Sequence, residues 1–106
     1  MPFRAEAVEE GLVEVAGELD VASAPALEAC LSLAMPSAPG RRLVLDVHAV
    51  TFCDSRGLAA LIQASRSLPP GGALVLRGVQ PFLERLLSIA GLDTVFEVQL
   101  AEPGAS

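Results

Sequence analysis

Apolar runs of strand length alternate along this chain with segments whose apolar residues recur at helical spacing. The strand-like runs cover residues 3–7, 12–16, 43–47, 73–76 and 95–98. The helical segments carry apolar stripes at Leu27, Cys30, Leu31 and Ala34, at Leu58, Leu61 and Ile62, and at Leu83, Leu86, Leu87 and Ala90. This alternation predicts the element order β-β-α-β-α-β-α-β.

The order of elements in turn predicts an α/β fold with a single mixed β-sheet packed against helices. Strands separated by helices are expected to pair in parallel, whereas the first two strands form an antiparallel hairpin. We expect Leu43–Val47 to be a central strand buried on both faces. The length of 106 residues predicts a single domain over residues 1–106, with a frayed tail from about 101–106.

Helix-capping and helix-breaking residues predict where the helices begin and end. Ser23 is a good N-cap for the first helix, and Pro69–Gly72 end the second helix, which we expect over about residues 55–68. Gly91 suits the left-handed position that follows the third helix.

Composition narrows the classes of function. The chain carries 13 acidic and 7 basic residues, so its net charge of -6 at pH 7 would be repelled by a nucleic-acid backbone. It has no Trp or Tyr and only four Phe, which argues against aromatic platforms for single-stranded nucleic acid or sugars. We therefore expect no nucleic-acid partner, and a protein with a basic face is the better match.

Cysteine usage and hydropathy predict a cytoplasmic protein. Cys30 and Cys53 lack the spacing of a metal site, and we expect both to be small buried hydrophobes with reduced thiols. No apolar stretch reaches the length of a membrane span, and residues 1–6 have no signal-peptide character. We expect neither a metal nor another cofactor.

Residues 54–58 join the predicted central strand to the second helix. Asp54 is the better N-cap, because its carboxylate can accept from the N–H groups of residues 56 and 57, which leaves the Ser55 hydroxyl facing solvent. The free N–H groups and the dipole of the helix favour negative charge on its first turn. A phosphate on Ser55 would be well placed there, although a plain capping role for Ser55 stays open.

Gly57 and Leu58 complete this first helical turn. Gly57 is a poor helix former, and we expect it to let another backbone, or the catalytic groups of a kinase, come close to Ser55. Leu58 begins the apolar stripe of the helix.

A hydrolytic enzyme is the weakest interpretation of Ser55. The Gly-x-Ser-x-Gly pattern is absent, since Cys53 occupies the position of its first glycine. The one histidine, His48, is seven residues upstream in the same segment, and we expect it in a loop rather than as a base. Without a phosphate-binding loop or paired carboxylates either, we expect no enzymatic activity.

Asp20 is the second candidate site residue. It ends the segment Gly17–Asp20 directly after a strand, where a carboxylate often belongs only to a turn. Asp20 and Ser55 nevertheless follow strands that run the same way, so we expect them to lie close together at one edge of the sheet.

Three motifs together resemble those of bacterial STAS domains. Gly17–Asp20 before a Ser-capped helix resembles the Gly-x-Leu/Ile-Asp signature of that family. Val50–Leu58 is similar to its phosphoacceptor segment, and Leu87–Leu92 is similar to its closing helix-Gly-Leu pattern. The resemblance covers nearly the whole chain, and the best match is the anti-sigma-factor antagonist group.

This resemblance implies a partner switch. In that group the unmodified domain binds an anti-sigma factor with a serine-kinase fold, which frees a sigma factor to join RNA polymerase. The anti-sigma factor phosphorylates the serine after the aspartate, here Ser55, which releases the complex until a phosphatase resets it. The implied partner-binding residues are Asp20, Asp54, Arg56, Gly57 and Leu58.

Arg56 departs from the family pattern, because most members carry a small residue at this position. A cation beside Ser55 could bind an added phosphate, recognise an acidic partner or hinder the usual kinase-like partner. The alternative function is a non-switching STAS subunit of a lipid-transport or stress-signalling complex, in which Ser55 would be a contact or capping residue.

Overall fold

The computed structural model describes residues 2–102, and within that range the elements follow in the predicted order. The strands are β1 (Arg4–Glu9), β2 (Leu12–Leu19), β3 (Arg42–Cys53), β4 (Ala73–Val79) and β5 (Glu97–Leu100), and the helices are α1 (Ala24–Ala34), α2 (Ser55–Arg66) and α3 (Pro81–Ile89). The α/β class and the order β-β-α-β-α-β-α-β are confirmed. Most of the predicted frayed tail, residues 103–106, lies outside the described residues.

The strands form one mixed sheet in the order β1-β2-β3-β4-β5. β1 and β2 are antiparallel, and the other neighbouring pairs are parallel, each joined through a helix as a parallel pair requires. Since β2 to β5 run the same way, their C-terminal ends share one edge, which we call the carboxyl edge. The opposite edge is the amino edge, where the Gly40 N–H donates to the Pro70 carbonyl at 2.9 Å. β1 runs the other way and begins at the carboxyl edge, with Arg4 opposite Ala16.

The core lies between one face of the sheet and the helices. The α1 stripe is buried as predicted, and α1 packs beside α2 and against β1 and β2. In α3, Leu83 and Leu87 are buried, but Leu86 is only half-buried and Ala90 is exposed because the helix ends at Ile89. Among residues 2–102, no helix combines the length and apolar character needed to cross a membrane.

The other face of the sheet is not covered by these helices. In β3, Leu43, Leu45 and Val47 are buried, whereas Val44 and Asp46 between them are only half-buried. The prediction that this strand is buried on both faces is therefore wrong. The apolar run misled because Val44, although apolar, lies on the outer face, between Leu12 of β2 and Val75 of β4.

Ion pairs partly cover this outer face. Arg77 Nη2 lies 3.3 Å from Asp46 Oδ2, joining β4 to β3. Arg42 pairs with Glu97, which joins β3 to β5 and so must cross β4. Val75, the β4 residue opposite Glu97, is buried although it is outside the main core cluster.

Strand limits differ from the predicted ones at the carboxyl edge. β2 continues to Leu19 and β3 to Cys53, since their pairing runs on through two irregularities that interrupt the alternation of side chains. β5 begins at Glu97 instead of Val95, because Phe96 turns into the core and is 5% exposed.

Gly91 closes α3 in the predicted left-handed conformation, with φ of 72°. Its N–H donates to the Ser88 carbonyl at 3.1 Å, and the Leu92 N–H donates to the Leu87 carbonyl at 2.8 Å. This bond pattern satisfies the last carbonyls of the helix and turns the chain toward β5.

Candidate functional site

The ends of β2 and β3 bring the predicted site residues to the carboxyl edge. Leu19 pairs with Cys53, and the Asp54 N–H donates to the Leu19 carbonyl at 3.1 Å. Asp20 and Asp54 therefore follow neighbouring parallel strands at the same edge. Ser55 begins α2 directly after Asp54.

Asp54 caps the N-terminus of α2. Its backbone is extended, with φ -109° and ψ -174°, and its Oδ1 accepts from the Gly57 N–H at 3.0 Å. The second expected bond, from the Arg56 N–H, is not observed. The Asp54 carbonyl accepts from the Leu58 N–H at 3.0 Å, which closes the first turn.

Ser55 is the first residue of α2 and is exposed to solvent. The capping interpretation of Ser55 is wrong, because Asp54 occupies that position and makes the capping bond. The Ser55 hydroxyl thus stands on a turn whose N–H groups and dipole favour negative charge.

Gly57 and Leu58 lie inside the molecule rather than on its surface. A Cβ on Gly57 would lie 2.7 Å from Leu19 Cγ and 2.8 Å from the Leu19 carbonyl oxygen. The close approach expected at Gly57 is therefore made by the end of β2, not by a visiting protein. Both residues would act on a partner only by fixing the position of the first turn.

Arg56 is not a free surface cation. Its Nη2 lies 3.0 Å from Glu28 Oε1 on α1, and the two side chains are 41% and 37% exposed. The pair connects the first turn of α2 to the middle of α1. Sequence reasoning missed Glu28, because nothing within the segment 54–58 signals a contact with a residue on another helix.

The Asp20 carboxylate is bound within its own turn. Its Oδ1 accepts from the N–H groups of Ala22 at 3.0 Å and Ser23 at 3.1 Å. Ser23 stands at the N-cap position of α1 as predicted, but its hydroxyl makes no capping bond and instead donates to the Glu18 carbonyl at 2.7 Å. The turn-carboxylate interpretation of Asp20 is confirmed, and the Asp20 side chain is half-buried at the carboxyl edge.

Two exposed apolar residues accompany this group and were not singled out from the sequence. Val21, next to Asp20, is 70% exposed, and Phe52, near the end of β3, is 46% exposed. Phe52 stands opposite Glu18 on β2. A valine just after a turn aspartate is the signal that could have marked this surface, because a turn leaves such a side chain uncovered.

Two further reactive side chains of β3, Cys53 and His48, lie outside this group of residues. Burial, followed by the nearby Asp54 carboxylate, raises the pKa of the Cys53 thiol to about 11, so the nucleophilic thiolate is scarce at neutral pH. His48 lies within β3, not in a loop as expected, and its backbone N–H donates to Asp46 Oδ1 at 3.1 Å. Its exposed side chain projects among residues of the outer face of the sheet.

Comparisons with known proteins agree on one protein family for this chain. The family model described as "Mlab, STAS domain" matches residues 3–100. The anti-sigma-B factor antagonist of Listeria monocytogenes is 35% identical over 89 residues, covering 83% of this chain and 77% of the relative. The anti-sigma-B factor antagonist of Bacillus subtilis is 34% identical over 94 residues, covering 87% of this chain and 84% of the relative.

A solved structure agrees with these sequence matches. The crystal structure of an anti-sigma factor antagonist from Mycobacterium paratuberculosis superposes with a TM-score of 0.70 at 33% identity, covering 92% of this chain and 84% of that one. The β-β-α-β-α-β-α-β order with a five-stranded mixed sheet is shared with such neighbours. The chain belongs to the STAS domain family, and within it resembles the anti-sigma-factor antagonists.

Proposed function

We propose that this chain is an anti-sigma-factor antagonist whose activity is switched at Ser55. In its unmodified form it binds an anti-sigma factor with a serine-kinase fold and thereby releases a sigma factor; phosphorylation of Ser55 ends that binding. The observation that carries the proposal is that Ser55 is exposed at the start of α2 while Asp54 makes the capping hydrogen bond. The names of the relatives support the choice of partner.

The proposed chemical step is a transfer of phosphate from ATP to the chain. The Ser55 oxygen forms a bond to the γ-phosphorus as the bond to the ADP oxygen breaks, and the hydroxyl proton passes to a base of the partner. In this proposal the antagonist itself is not an enzyme, and it contributes an accessible acceptor. A phosphatase hydrolyses the phosphoserine and restores the binding form.

Charge supplies the physical reason for release. Phosphate adds about -1.5 to -2 of charge next to the carboxylate of Asp54, with Asp20 at the same edge. Like charges forced together in an interface cost several kcal/mol. A loss of about 4 kcal/mol weakens binding roughly a thousandfold, which is enough for an on-off switch.

The carboxyl edge also offers a surface for the partner. Exposed Val21 and Phe52 provide apolar contact, while Asp20 and Asp54 favour a basic face on the partner. Arg56 lies beside them in its pair with Glu28. Because sigma factors and RNA polymerase act in the cytoplasm, we propose that this chain works there too.

The test is to incubate the wild type with its purified anti-sigma factor and Mg-ATP and to measure the mass of the intact protein. The wild type should gain one phosphate and lose binding, whereas Ser55→Ala should gain none and stay bound. Ser55→Asp should bind more weakly than wild type but better than the phosphorylated form, since it adds one charge where phosphate adds nearly two.

Ser37→Asp is the matched control, because it adds the same charge in an exposed loop at the amino edge. It should bind as the wild type does. If the wild type gains no phosphate and Ser55→Asp binds as tightly as Ser37→Asp, the switch is rejected. Stable co-purification with a transporter ATPase, whatever the state of Ser55, would instead favour the non-switching alternative.

A further inference from the structure

We propose that the Glu28–Arg56 ion pair is a charge-exchange device, in which a phosphate on Ser55 takes Arg56 away from Glu28 and leaves the Glu28 carboxylate unpaired on α1. This inference rests on the proposed phosphorylation of Ser55 and extends the switch from one helix to two. It gives Arg56, the residue that departs from the family pattern, a defined part in the response.

The existing pair is suited to exchange. A single contact of 3.0 Å joins Arg56 Nη2 to Glu28 Oε1, and both side chains are more than a third exposed. Solvent therefore screens the attraction, and exposed pairs of this kind contribute little to stability. Arg56 also places its positive charge on the first turn of α2, where the helix dipole disfavours a cation.

A phosphate on Ser55 would be a stronger partner for Arg56 than Glu28 is. It carries nearly twice the charge of a carboxylate and offers three acceptor oxygens, which the guanidinium group can bind in bidentate fashion. The Cα atoms of adjacent residues are about 3.8 Å apart, so the two groups are already held together by the chain. The side chains of adjacent residues on a helix point in different directions. The Arg56 side chain is long and flexible enough for its guanidinium group to reach the phosphate nevertheless.

The exchange would change the distribution of charge that a partner meets after phosphorylation. Arg56 would neutralise part of the phosphate charge on α2, and the Glu28 carboxylate on α1 would lose its counter-ion. A partner that spans both helices would then meet new negative charge on each of them. In the unmodified protein Arg56 pairs with this carboxylate, so the net charge that α1 presents at this position is smaller.

The experiment uses protein with phosphoserine incorporated at position 55 during translation, so that no kinase or partner is required. Titration followed by phosphorus NMR gives the second pKa of the phosphate in the wild-type background and in Arg56→Ser, Arg56→Lys and Glu28→Gln. Arg77→Ser is the matched control, because it removes an arginine from the separate pair with Asp46. Circular dichroism checks that each variant is folded.

Arg56→Ser should raise the phosphate pKa by roughly half a unit or more relative to wild type, since a neighbouring cation favours the more highly charged form. Arg56→Lys should restore part of the shift, Glu28→Gln should lower the pKa further by freeing Arg56, and Arg77→Ser should leave it unchanged. Equal values in wild type and Arg56→Ser would overturn the exchange without touching the switch. Failure of phosphate transfer by the anti-sigma factor would reject the switch and leave this measurement standing.

Discussion

At the scale of single residues, the position of Ser55 depends on a missing side chain at Gly57. The first turn of α2 rests on the end of β2, with no room for a Cβ between them. The Asp54 carboxylate bonds to the N–H of the same glycine. Gly57 is a poor helix former, but its lack of a side chain lets the first turn of α2 pack against the end of β2. This packing fixes the position of the exposed Ser55 hydroxyl relative to β2.

Gly57→Ala should destabilise the protein. Alanine favours helix over glycine by about 1 kcal/mol, but forcing a methyl group against a backbone carbonyl in a packed site costs about 1–3 kcal/mol. Because the Leu19 carbonyl cannot rotate away, we expect a cost in the upper part of that range and a net loss of about 1–2 kcal/mol in the free energy of unfolding, measured with urea. A variant as stable as wild type, or more stable, would show that the first turn can move off β2.

The sequence predicted the local part of the site and missed the part made by distant residues. The Asp54 cap and the exposure of Ser55 follow from the order of residues within one turn, and both are found. The Arg56 contact with Glu28 joins residues 28 positions apart on two helices. Such a contact depends on how α1 and α2 pack together, which no local pattern specifies.

At the scale of elements, α1 gives a clean test of the apolar stripe. Leu31 is 2% exposed and Leu33, two positions along the same helix, is 82% exposed. Leu31→Asp should bury an unpaired charge and lower the free energy of unfolding by at least about 3 kcal/mol, whereas Leu33→Asp should have little effect. Thermal melting of the two variants measures the difference. Similar melting temperatures would mean that α1 does not pack through this face.

Periodicity predicted which elements form, but not where the strands end or which faces they bury. The buried residues of α1 are predicted correctly, because a helix repeats its buried face over several turns. The run Leu43–Val47 does not reveal that Val44 faces outward, since an apolar residue on an open face looks like a core residue in sequence. The covered side depends on where all the helices lie.

At the scale of the whole molecule, the change of folding stability at alkaline pH should report mainly on the two cysteine thiols. All seven basic residues are arginines and the chain has no Tyr, so between about pH 9 and 11 few side chains other than the cysteines change their charge. Burial, then Asp54, raises the pKa of Cys53 from the ordinary 9.0 to about 11, and burial, then Glu6, raises the pKa of Cys30. Folding therefore favours the protonated thiols.

The stabilisation from the thiols should be complete below about pH 9, where they are protonated even when unfolded, and should be lost as the pH rises toward about 11. Urea unfolding at about pH 8 and about pH 10.5 measures this loss. Cys53→Ala should lose less stability over that interval than wild type does, whatever its stability at the lower pH. An identical loss in both proteins would mean that the Cys53 thiol ionises as easily folded as unfolded.

The direction of the edge strands also decides where the molecule can be held or labelled. β1 begins and β5 ends at the carboxyl edge, and each is two strands from β3, or about 10 Å at the usual strand spacing. A tag joined to either strand would therefore emerge at the same edge as Ser55, on the side from which a partner must approach. The turns Ser37–Gly40 and Pro69–Gly72, held together at the amino edge, point the other way. An affinity handle or fluorophore inserted there would report on binding while leaving the carboxyl edge open.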